Sequence, residues 1–196
     1  MYDAVNSKYT YPNSFVIKNK LNIKDEKKLE DYERQMVSFK LATIRKHSMP
    51  EKFDSNRLKY IHNYLFCDIY DFAGKYREEN ITKDNFMFAQ FEYISENIDT
   101  LLNKIDIENL RLVSFDEKLK QISYYMTELN VLHPFREVNG RTIREFIRQL
   151  LNEVGLEIDF SKIEYQEIIK VSKLAVIDDK EQVQLLRKSV VKLEKI

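Results

Sequence analysis

Turn-forming residues are scarce in this sequence of 196 residues, which contains only three Gly and three Pro. Sandwiches and barrels of many short strands need turn residues at most of their connections, so this scarcity argues against them and favours helices. Cysteine is limited to Cys67, which excludes an internal disulfide and makes a reducing compartment the expected environment. The sequence therefore predicts a mainly α protein that is not held together by disulfides.

Net charge and long apolar runs are also absent. The 32 Lys and Arg residues balance 32 Asp and Glu residues, so no overall field indicates binding to nucleic acid or to an anionic membrane. The longest strictly apolar runs, such as 64–67 and 86–89, are far shorter than the ~18 residues of a spanning helix, and no signal peptide is visible. We expect a soluble cytoplasmic protein without nucleic-acid or membrane partners, with delivery by a dedicated secretion system as the alternative.

Apolar residues at helical spacing predict seven helices. The first contains the stripe Leu29, Tyr32, Met36 and Phe39 and ends before Pro50, and the second begins at Asp54 or Ser55 and ends at Gly74. One later pattern, from Ile143 to Val154 with Gly155 as its C-cap, fits the helical template at every position. The other four patterns cover residues 94–105, 119–132, 163–176 and 179–195.

The stretch 75–91 has no helical period. Lys83, Asp84 and Asn85 lie between Ile81 and the apolar run that starts at Phe86, which predicts a short hairpin. No repeat, linker or low-complexity segment divides the chain, so we expect a single domain over residues 1–196.

A polar segment between two strong helical patterns, HPFREVNGRTIR, contains the residue types that phosphate chemistry needs. A helix that begins near Gly140 offers unpaired N–H groups and a positive dipole end to an anion, and Arg141 and Arg144 lie three residues apart, within reach of one phosphate chain. Glu137 is a hard oxygen ligand for Mg²⁺, and His133 is a base suited to neutral pH. These groups predict nucleotidyl or phosphoryl transfer; the alternative is a plain helix-loop-helix turn with solvated arginines.

The same segment resembles the signature of Fic-domain proteins, H-P-F-x-[D/E]-G-N-G-R-x-x-R. At ~5% usage per residue, a chance match at eight fixed positions has a probability on the order of 10⁻¹⁰ per starting position. Two further stretches, YTYPNSFVIKNKLNI and IYDFAGKYREENITK, resemble the N-terminal region of a Fic subgroup and the segment that enters the Fic target-binding flap. The matching signature positions are His133, Pro134, Phe135, Glu137, Asn139, Gly140, Arg141 and Arg144.

The resemblance implies a mainly α Fic-type domain with a signature loop at 133–144 and a short hairpin flap at about 76–90. It also implies transfer of AMP from ATP-Mg²⁺ to a hydroxyl of a target protein, this protein itself included. His133 would be the catalytic base and Glu137 the Mg²⁺ ligand. The implied phosphate-binding residues are Asn139, Gly140, Arg141 and Arg144. The implied flap residues, which would bind the target as an added strand unless this is a plain connecting hairpin, are Ile81, Thr82, Lys83, Phe86 and Met87.

Two departures from the family pattern bear on function. Val138 occupies the first glycine position, where a positive φ would cost a β-branched residue about 1 to 3 kcal/mol, so a catalytically silent Fic-fold binding module is one alternative. The inhibitory family motif S-x-x-x-E-[G/N] is absent, because no serine is followed by glutamate four residues later. Ser189 comes nearest, but Glu194 lies one residue too far from it. Inhibition is therefore expected from a small separate partner with that motif, or not at all.

Transfer of another phosphate-containing group is a further alternative. Relatives that phosphorylate carry Lys at the position of Arg141, so the resemblance favours AMP transfer. Outside the signature, His62 lies among Ile61, Tyr64 and Leu65, which predicts a core histidine rather than a functional one.

Overall fold

The computed structural model describes residues 7–193 and confirms a mainly α fold, with eight α-helices and two small antiparallel strand pairs in that range. No helix in the same range is long and apolar enough to cross a membrane. The helices are α1 (Glu26–Thr43), α2 (Ser55–Phe66), α3 (Ile94–Leu102), α4 (Ile107–Leu112), α5 (Phe115–Leu132), α6 (Asn139–Glu153), α7 (Tyr165–Leu174) and α8 (Lys180–Ser189). The strands are β1 (Thr82–Lys83), β2 (Phe86–Met87), β3 (Leu156–Ile158) and β4 (Val190–Lys192), and single 3₁₀ turns cover Ile44–Lys46, Phe91–Tyr93 and Phe160–Lys162.

The central helices are α2, α5 and α6, which pack against one another in the order α2, α6, α5. Their buried faces carry the apolar rows that the sequence predicts, and each fully buried side chain contributes about 1.5 to 3 kcal/mol. A smaller apolar cluster lies between α7 and α8. Fully buried members of the main core include Leu58, Ile61, Ile122, Leu129, Phe146 and Ile147.

Helix ends follow the polar and glycine signals of the sequence. Of the two candidate caps for α2, Asp54 is the one used, since its carboxylate accepts the backbone N–H groups of Asn56 and Arg57 at 2.9 and 3.1 Å. Gly155 follows α6 with a φ of +79°, as expected for a left-handed residue after a helix C-terminus.

The predicted face of α1 is wrong in part. Its buried residues are Leu29, Glu33 and Val37, whereas the side chain of Phe39 is 66% exposed. The pattern missed this face because Glu33 interrupts it with a charged residue. The structure explains the burial of Glu33 by its polar partners, described below.

The second helix ends earlier than predicted, at Phe66 rather than Gly74. The Phe66 carbonyl accepts the N–H groups of both Ile69 and Tyr70, each at 2.9 Å, which turns the chain out of the helical path. Gly74 has a φ of +78°, and a Cβ atom there would lie 2.9 Å from Asn63 Cβ. Glycine is therefore required at this position by conformation and by space.

The last predicted helix is also shorter. α8 ends at Ser189, and the β-branched pair Val190 and Val191 continues as β4, which pairs with β3 in the register Ile158–Val190. The short helix α4 was not predicted. Residues 1–6 and 194–196, including Glu194 and the expected last helical turn, lie outside the described residues.

The predicted hairpin is confirmed. β1 and β2 pair antiparallel, with Lys83 opposite Phe86. Asp84 and Asn85 connect them with φ values of 51° and 62°, the left-handed pair that a type I′ turn needs. Lys173 on α7 forms an ion pair with Asp84 at 2.8 Å, which joins the turn to the body of the protein.

Candidate active site

The loop between α5 and α6 begins and ends in left-handed backbone. His133 has φ 46° and ψ 61°, and Val138 has φ 58° and ψ 21°. Pro134 prevents α5 from continuing, because proline disfavours helical geometry in the residue before it. The left-handed residue at each end turns the chain sharply enough for α5 and α6 to pack together, with the signature loop at their junction.

The His133 ring is oriented by a backbone group and an aromatic ring. Nδ1 lies 3.0 Å from the carbonyl oxygen of Asn130, which can only accept a hydrogen bond, so Nδ1 carries the proton and Nε2 is the unprotonated ring nitrogen. The ring stacks on Phe88 of the flap, with centroids 4.0 Å apart. Burial lowers the pKa of His133 to about 3, so the imidazole is neutral at physiological pH.

Val138 has the left-handed backbone that favours glycine, the residue of the family pattern at this position. Its φ of 58° costs an L-residue roughly 1 to 2 kcal/mol. As the residue before the first turn of α6, it has no side chain that could accept the free N–H groups there, and no side-chain cap is present. The N-terminus of α6 therefore keeps its donors available for an anion.

The resemblance implies that the Asn139 side chain binds phosphate, but in the structure this side chain binds the signature loop. Its Oδ1 accepts the N–H of Phe135 at 2.8 Å, and its Nδ2 donates to the carbonyl of Phe135 at 2.7 Å. The side chain is buried, and both of its polar atoms bind the loop itself. Asn139 closes the loop into a rigid turn, and the donors near an anion are then backbone amides and arginines.

Arg141 is held by residues from two other helical regions. Its guanidinium forms an ion pair with Glu33 of α1, and Glu33 also accepts a hydrogen bond from the hydroxyl of Tyr70. The guanidinium lies over the ring of Phe66, 5.2 Å from its centroid. These contacts fix Arg141 beside the first turn of α6.

Arg144 has different surroundings. Within residues 7–193, carboxylates form ion pairs with Arg141 and Arg148 on the same helix, but none does so with Arg144. Burial and the charge of Arg141 lower the pKa of Arg144. A Cβ atom on Gly140 would lie 3.1 Å from Arg144 Nη1, so glycine leaves the space into which the guanidinium folds. This cation lies near the positive end of the α6 dipole, an arrangement that an anion would stabilise.

The side chain of Glu137 lies at the start of α6, near the charges of Arg136 and Lys83. Burial, and secondarily the charge of Glu33, raises the pKa of Glu137 to about 7 despite the opposing effect of Arg136. Its Oε2 accepts the backbone N–H of Val138 at 3.4 Å. Desolvation disfavours the negative charge of this carboxylate and a nearby cation would stabilise it, so Glu137 fits the role of a Mg²⁺ ligand. No group of three or more His, Cys, Asp or Glu side chains within the described chain could hold a metal by itself, so phosphate oxygens would have to complete the coordination.

His62 has a part in the site that the sequence did not predict. Its Nδ1 accepts the N–H of Gly74 at 2.8 Å, so Nε2 carries the proton and donates to the carbonyl of Glu137 at 3.3 Å. The ring stacks on Phe135, with centroids 3.8 Å apart. Burial lowers the pKa of His62 to about 3. The residue is a core histidine, as predicted, and it also fixes the main chain of the loop.

The flap presents only some of its expected residues to the outside. The side chain of Ile81 is buried, which excludes it from contact with another protein in this conformation. Thr82 and Lys83 are half-buried, whereas Phe86 is 39% and Met87 65% exposed. The exposed part of the hairpin is therefore its second strand.

The structure thus brings the expected base, metal ligand and arginines together at the junction of α5 and α6. It adds Glu33 of α1 and His62 of α2. It also adds Arg77, from the segment before β1, whose Nε donates to the carbonyl of His133 at 2.9 Å. The charged residue within the buried row of α1 was the one signal in the sequence for Glu33. Arg77 lies in a polar stretch without periodicity and gave no signal.

Comparisons with known proteins identify the family of this chain. The model of the Fic/DOC family matches residues 52–151. The chain is 41% identical over 172 residues to protein adenylyltransferase VbhT of Bartonella schoenbuchensis; the match covers 87% of this chain but only 36% of VbhT. It is 31% identical to y4lH of Sinorhizobium fredii, named as a probable protein adenylyltransferase, over 83% of this chain and 84% of that protein.

A solved structure is also similar. The N-terminal Fic domain of a VirB-translocated Bep effector from Bartonella quintana, with bound ADP, superposes with a TM-score of 0.86 and 26% identity. The match covers 95% of each chain.

Proposed function

Because this chain belongs to the Fic/DOC family, we propose that it is a protein adenylyltransferase, which transfers AMP from ATP to a hydroxyl side chain of a target protein. The observation that carries the proposal is the pairing of a neutral His133 with an uncapped α6 N-terminus that bears Arg141 and Arg144. The chain spans about a third of the length of VbhT, so the proposal concerns the Fic-type domain alone. The main core, which runs from Val16 to Val190, supports one such domain.

His133 acts as the general base. The Nε2 lone pair accepts the proton of the target hydroxyl as its oxygen attacks the α-phosphorus of ATP. A new P–O bond forms to the target, and the bond to the bridging oxygen breaks, so that pyrophosphate leaves. The proton remains on His133 until water or pyrophosphate takes it. The low pKa of the ring keeps it in the base form before the step.

The positive groups at α6 stabilise the phosphates. The first-turn N–H groups near Gly140 donate to phosphate oxygens, and Arg141 neutralises charge on the β-phosphate side. Arg144, which has no carboxylate partner among residues 7–193, pairs with the γ-phosphate. Asn139 contributes indirectly by closing the loop.

Glu137 is the proposed protein ligand of Mg²⁺. A Mg²⁺ ion held there with ATP would neutralise phosphate charge and make pyrophosphate a better leaving group. The carboxyl group of Glu137 must lose its proton to bind a cation, and a bound cation would lower its raised pKa and so favour that loss.

The flap binds the target through its main chain. An extended segment of the target pairs with the hairpin edge, while the exposed Phe86 and Met87 contact its side chains. The stacking of Phe88 on His133 connects this docking surface directly with the base.

Inhibition by a separate small protein is the proposed control. Such a partner would place the glutamate of an S-x-x-x-E-[G/N] helix against Arg144 and exclude the γ-phosphate. A synthetic helical peptide with this motif should suppress transfer, and a matched peptide with Gln at the glutamate position should not. Equal inhibition by both peptides would contradict this part of the proposal.

The cytoplasm is the proposed compartment, either in the producing cell or in a cell to which the protein is delivered. ATP supply supports a cytoplasmic site of action. The description of the similar Bartonella quintana protein as a VirB-translocated effector supports delivery.

Intact mass spectrometry tests the proposed activity. The purified chain is incubated with ATP and Mg²⁺, alone and with a cell lysate, beside a His133→Ala control. An added AMP on the chain or on a lysate protein, absent from the control, is expected. An added phosphate, or no adduct in either incubation, would overturn the assignment.

A further inference from the structure

Arg77 is a buried arginine between α2 and β1 that the proposed chemistry does not use. Its guanidinium donates to four backbone carbonyls. Two of them lie at the end of α5 and in the signature loop, Leu132 at 3.3 Å from Nη2 and His133 at 2.9 Å from Nε. The backbone N–H of Arg77 donates to the carbonyl of Pro134 at 2.9 Å. One residue therefore binds three consecutive carbonyls around the catalytic histidine.

The other two carbonyls lie at the two ends of the flap. Nη1 of Arg77 donates to the carbonyl of Glu79 at 2.7 Å, and Nη2 donates to the carbonyl of Ala89. Glu79 and Ala89 enclose the hairpin on its entering and leaving sides. A planar guanidinium can hold donors in this fixed arrangement, whereas an ammonium group cannot reach four carbonyls in separate directions.

Two more contacts strengthen the same connection. The N–H of Ala89 donates to the carbonyl of Val131 at 3.3 Å, and the carboxylate of Glu79 pairs with Arg136 of the loop at 2.6 Å. The flap and the signature loop are thus joined on both sides of Arg77.

We infer that Arg77 is a positioning residue for transfer: it holds both ends of the flap and the main chain of His133 in one hydrogen-bonded unit, so that a target docked on the flap meets the base in a fixed register. The role in transfer rests on the proposed function, whereas the mechanical connection does not. Nucleotide binding at α6 involves none of these contacts.

The matched pair of variants is Arg77→Lys and Arg57→Lys. Arg57 is also a buried arginine that donates to backbone carbonyls, those of Pro50 at 2.8 Å and Glu51 at 3.1 Å, but it lies in the first turn of α2 and its carbonyl partners belong to the segment before that helix, not to the flap. Label transfer from α-labelled ATP is measured as a function of ATP concentration. For Arg77→Lys we expect the maximal rate to fall at least tenfold while the KM for ATP stays within twofold. Arg57→Lys should keep both values within threefold.

Two results would overturn the inference. One is a maximal rate for Arg77→Lys within threefold of wild type. The other is a KM for ATP that rises in proportion to the loss of rate, which would indicate general damage to the fold. Absence of transfer by the wild-type protein would instead contradict the proposed function. The hydrogen-bonded connection between flap and loop would then be tested by hydrogen exchange.

Native-state hydrogen exchange of the wild-type protein tests the connection without a variant. The amides of Arg77, Phe88 and Ala89 are bonded to the carbonyls of Pro134, Ile81 and Val131. If they belong to one unit, they open together, with equal opening free energies and equal dependence on denaturant. Opening of the Phe88 and Ala89 amides well before that of Arg77 would contradict the inference.

Discussion

Nδ1 of His133 lies 3.0 Å from the carbonyl oxygen of Asn130, one turn earlier in α5. Since this oxygen can only accept, the histidine is held in the tautomer that leaves Nε2 unprotonated. The proposed base is therefore oriented by the helix that it terminates.

Replacing the base should separate binding from turnover. We expect His133→Ala to abolish AMP transfer while the affinity for ATP stays within about twofold, because other groups hold the phosphates. Calorimetry with ATP and label transfer measure the two effects, and the exposed His47→Ala is the control. Transfer by His133→Ala within a factor of ten of wild type would show that another group is the base.

Arg144 should distinguish ATP from ADP. A charge-assisted hydrogen bond is worth about 1.5 to 3 kcal/mol, so Arg144→Ala should weaken ATP binding roughly tenfold to a hundredfold and affect ADP much less. Arg148→Ala is the control, since Arg148 lies one turn further along α6 and pairs with Glu145 at 2.7 Å. Equal losses for ATP and ADP by calorimetry would move Arg144 away from the γ-phosphate.

The Fic signature has glycine at the position of Val138, and the φ of Val138 is positive. Substitution of Val138 therefore tests whether backbone strain limits the transfer rate. We expect Val138→Gly to raise the transfer rate by up to about tenfold, corresponding to ~1.4 kcal/mol, because glycine lets the adjacent amides adjust to the anion without a steric cost. Val138→Ala shortens the side chain but keeps a Cβ at φ 58°, so it should give no gain. Equal rates for all three proteins would remove backbone strain from the account.

His62 should make the protein sensitive to acid. Its folded pKa of about 3 lies below the value of about 6.5 in the unfolded chain, so the unfolded state binds more protons between these values. The stability contributed by the neutral ring is complete above pH 6.5 and is lost as the pH falls, by about 1.4 kcal/mol per unit.

Urea unfolding at pH 7, 6 and 5 measures this effect as a difference between proteins. The free energy of unfolding should fall less steeply for His62→Gln than for wild type, by up to about 2 kcal/mol between pH 7 and 5. The exposed His47→Gln is the control. Parallel curves for wild type and His62→Gln would show that the pKa of His62 is the same in the folded and unfolded states, which would contradict this prediction.

The local part of the proposed site could be inferred from the sequence, because the proposed base, the proposed metal ligand and both arginines belong to one continuous segment. Helical period and turn residues also predicted α5, α6 and the hairpin. The remaining contacts join residues that are far apart in the chain: Arg141 and Glu33 by 108 positions, His62 and Glu137 by 75, and Arg77 and His133 by 56. Local periodicity contains no information on such pairs, since packing decides them.

Val138 illustrates the same limit. The family pattern shows that glycine usually occupies this position, and elementary sterics give the cost of a β-branched residue there. Neither shows whether the loop keeps its shape or changes it. The structure keeps the left-handed backbone, since Asn139 and His62 bind the loop on both sides of this residue.

Incubation with ATP labelled at either the α- or the γ-phosphate tests the central claim most directly. The chain is incubated with each label and Mg²⁺, alone and with a lysate, and protein-bound label is counted for wild type and for His133→Ala. AMP transfer predicts label on protein from α-labelled ATP only, and none with His133→Ala. Label from γ-labelled ATP would indicate phosphorylation, and no label from either nucleotide would indicate a silent binding module; both results would contradict the account.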